Sequence, residues 1–168
     1  MTACATETVM KTTVTADPRE PTIVIARWFD APPHLVFEAA SRPELIKRWW
    51  GLRSSQMTVC EVEHRVGGRW RFVLRSPDGR EDGFRGVYKE IVPNLRVVQT
   101  FIYDPFPDAE AEETVNFVPD NGGTRLEIVI RHKTMAARDG HLSSGMQYGL
   151  NEAHARLDEV LASLSAAA

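Results

Sequence analysis

Cysteine is nearly missing from this chain: Cys4 and Cys60 are the only two. One lies in a Thr- and Ala-rich opening and the other in a strand-like pattern. They build no disulfide framework, and free thiols in a reducing, cytoplasmic setting are the expectation. No run of about 20 apolar residues occurs, which excludes a membrane-spanning helix. Residues 1–10 have neither a basic start nor an apolar stretch, so no secretory signal is expected there. Positive charge is not in excess either. A net charge of -3 gives no general attraction to nucleic acid or anionic membrane. A Gly-x-Ser-x-Gly elbow, a phosphate loop and a dinucleotide fingerprint are all lacking, and no cofactor is expected. The five histidines, His34, His64, His132, His141 and His154, show no metal-ligand spacing, so no metal site is expected.

What is present is the material of one ordinary globular domain. The chain has 168 residues, of which 43% are hydrophobic and 26% charged, enough to bury a real core. Residues 1–19 read as a flexible tail, and 20–166 as a single domain.

The first strand pattern covers 22–29, rich in β-branched and aromatic residues. Pro32 and Pro33 follow and open a short helix over 34–40. Ser41 and Glu44 have the spacing of a capping box for a second short helix running to Trp50. Gly51 suits the left-handed position that ends it. Trp49 and Trp50 lie about 100° apart around that helix, so two indoles need two separate homes. From 56 to 133 the pattern is strands and turns. Thr58, Cys60 and Val62 share a face. Gly67-Gly68 marks a hairpin. Trp70, Phe72 and Leu74 alternate with Arg69, Arg71 and Arg75, an oily face against a basic, solvated one. Strands over 84–92 and 95–103 flank Pro93-Asn94. The acidic stretch 104–113 reads as a solvated loop. Strands over 114–118 and 124–132 flank Asp120-Asn121-Gly122-Gly123, a strong hairpin signal.

One long amphipathic helix closes the chain, starting between 135 and 143. Its stripe is Met146, Leu150, Ala153, Leu157, Val160, Leu161 and Leu164. Gly140, Gly145 and Gly149 make its first half loose or closely packed. The order is strand, two short helices, about six antiparallel strands, one long helix. A curved sheet around such a helix encloses space to be filled by side chains or by a ligand. The candidate lining is Phe37, Trp49, Trp50, Trp70, Phe72, Phe84, Phe101, Phe117, Met146 and Leu150. Polar candidates are Tyr88, Gln99, Asn116, Tyr148, Asn151 and His154. For any one aromatic, plain core is the simpler reading; as a set they suggest a cavity. His154, at the edge of the stripe, reads either as a satisfied core histidine or as a general base.

Several runs also carry a resemblance. They are Val24-Ile25-Ala26-Arg27-Trp28-Phe29-Asp30-Ala31-Pro32, Pro43-Glu44-Leu45-Ile46-Lys47-Arg48-Trp49-Trp50-Gly51, Val66-Gly67-Gly68-Arg69-Trp70-Arg71-Phe72, Gly86-Val87-Tyr88 and Gly122-Gly123-Thr124-Arg125-Leu126. In this order, over about residues 22–164, they resemble the family named after the activator of the heat-shock-protein-90 ATPase. That family lies in the START-like (SRPBCC, Bet v 1-like) superfamily. The resemblance implies an α+β helix-grip fold. In it a curved antiparallel sheet of six to seven strands wraps a long C-terminal helix, with two short helices after the first strand. It also implies a cavity for a hydrophobic small molecule or lipid between sheet and helix. Superfamily relatives include lipid carriers, polyketide cyclases and aromatases, so a cyclase-type enzyme is the alternative. A chaperone-associated interaction module is the third reading. No catalytic set is demanded by the residues, which favours a binder over an enzyme. Antiparallel edge strands would also allow a homodimer.

Overall fold

The computed structural model describes residues 11–167, and Cys4 and the stretch read for a secretory signal lie outside them. The elements are β1 (Thr13–Thr15), β2 (Thr22–Phe29), α1 (Pro33–Ser41), α2 (Pro43–Ile46), β3 (Gln56–Val62) and β4 (Arg69–Arg75). They continue with β5 (Glu81–Val92), β6 (Arg96–Tyr103), β7 (Ala111–Asp120), β8 (Gly123–Arg131), α3 (Met135–Leu142) and α4 (Met146–Ala167).

All strands form one antiparallel sheet in the order β1-β2-β8-β7-β6-β5-β4-β3. Consecutive strands from β3 to β8 are neighbours because short turns join them. Asn94 and Asn121 take the left-handed conformation (φ 65° and 47°) that two of these turns require. The sheet curves, with bulges between Met57 and Val59 and between Tyr88 and Glu90, which bend a strand and sharpen its twist. Its concave face meets α4, whose Ala153, His154, Leu157, Val160 and Leu161 are buried. The main core gathers Phe29, Val36, Ile46, Trp70, Phe117, Leu157 and Leu161. A smaller cluster of Ile23, Ile25, Ala111 and Ile130 receives Met146 and Leu150.

Several expectations change. The sheet has eight strands rather than six or seven, because Thr13–Thr15 of the expected tail adds the edge strand β1. Ser41 is not a cap: it ends α1, and its hydroxyl donates to Phe37 O at 2.7 Å. Arg42 stands at the start of α2, with no side-chain cap. Helix α2 ends at Ile46, and turns carry the chain to Trp50. The bulge at Thr58 exposes that residue, and Met57, Cys60 and Val62 pack inward instead. The single closing helix is two, because the chain turns at Gly145. Finally, β7 starts at Ala111, so the end of the expected acidic loop belongs to the sheet.

Candidate functional site

Between the concave sheet and α4 lies a cavity of about 380 Å³. This falls within the range of small-molecule sites. All thirteen residues expected to line a ligand site reach its wall: Phe37, Trp49, Trp50, Trp70, Phe72, Phe84, Tyr88, Gln99, Phe101, Phe117, Met146, Leu150 and His154. Of the remaining polar candidates, Tyr148 is 69% exposed. Asn151 is exposed and accepts from Gln147 Nε2, while Asn116 is not part of the wall.

The two tryptophans find different homes, as the geometry of one turn demands. Trp49 Nε1 donates to Ala39 O at 2.9 Å, which fastens the ring to α1. Trp50 packs its ring against Phe72 (5.1 Å) and Phe84 (5.0 Å) of the sheet. Gly51 follows at φ +89°, a conformation that reverses the chain at little cost only for glycine. The loop is then tied to α4 three times. Arg156 Nη1 donates to Gly51 O at 2.9 Å, Arg53 N donates to Glu152, and Arg53 pairs with Glu159. Leu52 and Ser55 of this loop also line the cavity.

Sequence reasoning missed the most unusual residue on the wall. The acidic composition of 104–113 favours a solvated loop, yet Glu113 lies in β7 and faces the cavity. Desolvation raises its carboxyl from 4.5 to about 7, opposed by a hydrogen bond from Gln99 Nε2 to Oε1 at 3.2 Å. The signal was legible. Glu113, Val115 and Phe117 are spaced by two, so a strand begun two residues earlier puts all three on the inner face.

Register aligns the polar wall groups. Tyr88 pairs with Gln99, and Gln99 pairs with Glu113, across β5, β6 and β7. Burial pushes the Tyr88 hydroxyl well above its ordinary value, with the charges of Cys60 and Glu113 adding to this. His64, also missed, packs edge-on to both Phe37 and Tyr88.

The other wall histidines are held neutral and occupied. Burial lowers His154 to about 3, with the Arg27 charge assisting. Its Nδ1 lies 2.8 Å from Thr12 Oγ1, and its ring meets Phe29 edge-on. This is the environment of a satisfied core histidine. Arg27 itself forms a bidentate pair with Asp158 at 2.6 Å. Burial likewise lowers His141 to about 4, and its Nδ1 is 3.1 Å from His132 Nε2.

Two arginines of the outer sheet face are engaged by acids: Arg71 with Asp104 and Arg75 with Glu81. Among the described residues no group of three or more His, Cys, Asp or Glu is placed to hold a metal ion. No helix among them is long and apolar enough to cross a membrane.

Comparison with known proteins agrees with this architecture. The sequence profile of the family described as Activator of Hsp90 ATPase homolog 1-like protein matches residues 30–162. A crystal structure from Rhodobacter sphaeroides is similar at 30% identity and TM-score 0.83, over 90% of this chain and 99% of that one. A Mycobacterium smegmatis protein shares the fold at 23% identity and TM-score 0.81, over 89% and 96% of the two chains. A Nitrosomonas europaea protein does so at 22% identity and TM-score 0.78, over 90% and 99%. No curated protein matches the chain.

Proposed function

This chain belongs to the Activator of Hsp90 ATPase homolog 1-like family, and from that membership and its cavity we propose that it binds a hydrophobic small molecule or lipid between sheet and helix. The observation that carries the reading is the wall itself. Trp50, Phe72, Phe84 and Phe101 surround an opening of about 380 Å³ that the side chains leave unfilled. Each Å² of apolar ligand surface removed from water there contributes roughly 25 cal/mol. The ring of Trp50 on one side and the stripe of α4 on the other give a planar or extended apolar molecule contacts on both faces. A cytoplasmic site of action goes with this reading and rests on the composition.

The test is a titration with a neutral hydrophobic dye such as N-phenylnaphthylamine. Binding beside Trp49 and Trp50 quenches or shifts tryptophan emission. At about 100 times Kd it stabilises the fold by roughly 2.7 kcal/mol, or about 5 to 11 °C in Tm for a chain of this length. Unchanged emission and unchanged Tm at saturating dye would refute the proposal.

A further inference from the structure

We propose that the ligand carries a neutral hydroxyl, bound between the Tyr88 phenol and the Glu113 carboxyl, and that the same pair rejects carboxylate-headed molecules of equal length. This deepens the binding reading above and rests on it.

Two polar groups on the wall have unmet hydrogen-bonding capacity. Tyr88 is 5% exposed and lines the cavity, and its hydroxyl has no partner among the described residues. Glu113 receives one hydrogen bond, from Gln99 to Oε1, and among the described residues Oε2 has none. Buried polar groups are nearly always partnered in folded proteins. Here the buried Tyr88 and the half-buried Glu113, both open to the cavity, sit in one lateral row, with Gln99 between them already committed to Glu113. The next residue in that row is apolar Ile130. A few polar groups at one place in an apolar cavity orient a ligand by its polar end.

Chemistry then selects the head group. A hydroxyl donates to Glu113 when the carboxyl is ionised and accepts from it when it is protonated. It also accepts from the Tyr88 phenol in either case. A carboxylate head offers only acceptors and brings a second negative charge beside Glu113. It would need a cation, and among the described residues Arg80 is the one Lys or Arg on the wall. Arg80 is 3.4 Å from Asp82, far out on a side chain 71% exposed. The remaining ionisable wall groups do not help. His141 and His154 are engaged by His132 and Thr12, and His64 is held toward its neutral form by burial.

The experiment displaces the bound neutral dye with decanol, decanoate and decylamine at about pH 8. It uses the full chain and its Glu113→Gln and Tyr88→Phe variants. Decanol should displace the dye at the lowest concentration. The affinity of decanoate relative to decanol should rise about tenfold in Glu113→Gln, because the repelling charge is gone. Tyr88→Phe should weaken decanol about fivefold, the effect of one lost hydrogen bond. Three outcomes overturn the assignment: decanoate equal to decanol in the parent, decylamine the tightest of the three, or a ratio that Glu113→Gln leaves unchanged. Dye binding with no head-group preference sinks only the hydroxyl assignment. Failure of the dye to bind at all removes the binding reading and this inference together.

Discussion

Glu113 makes stability depend on pH in a direction opposite to most carboxylates. Its carboxyl titrates near 7 in the folded protein, against 4.5 when unperturbed. A raised value means that the folded state favours the protonated form. The stability associated with Glu113 is therefore complete below about pH 4.5, falls as pH rises through about 7, and is level above that. The two values differ by about 2.5 pH units, and at about 1.36 kcal/mol for each the loss is about 3 kcal/mol. Glu113→Gln keeps an acceptor for Gln99 Nε2 and has nothing to ionise. The variant should exceed the parent by about 3 kcal/mol at pH 8, or about 6 to 12 °C in Tm, and match it near pH 4.5. Urea unfolding followed by circular dichroism across this range measures the difference directly. The lowered His141 and His154 weaken the fold as pH falls below about 6.5, and they act on both proteins alike. A difference that stays constant with pH, or one that grows toward acid, would refute the placement of Glu113 inside the cavity.

Two further outcomes follow from single contacts. Thr12→Val removes the hydroxyl that meets His154 Nδ1 at 2.8 Å, leaving a buried ring nitrogen unsatisfied. The expected cost is about 1 to 3 kcal/mol, read as a lower urea midpoint, and full parental stability would show that Thr12 does not hold the ring. Gly86→Ala places a Cβ well inside the contact distance of Thr100 O and Trp70 Nε1. Trp70 is 3% exposed and cannot retreat, so a loss of at least about 2 kcal/mol is expected. Unchanged thermal unfolding would contradict the close approach of β5 to that ring.

Much of the wall was readable because strands alternate and helices repeat. Trp70 and Phe72 had to share a face, and Leu150 and Leu157 had to share another, whatever the rest of the chain did. The doubled tryptophan before Gly51 likewise required two environments, and Ala39 O and Phe72 are those environments. Other features were less accessible. The capping box at Ser41 failed because helix α1 runs through that residue, and its hydroxyl bonds backward within the turn. Thr58 changed sides because a bulge adds one residue and resets alternation beyond it.

Local pattern by itself therefore determined the element types, the antiparallel class and which side chains point inward, since each depends on spacing along a few residues. Tertiary structure decided what those inward residues meet. Thr12 reaches His154 across 142 positions, and Tyr88, Gln99 and Glu113 become one row only through the register of three strands. That register depends on two successive connections and on the bulge between Tyr88 and Glu90, and the space left between sheet and helix depends on the curvature of the whole sheet, which no short segment encodes.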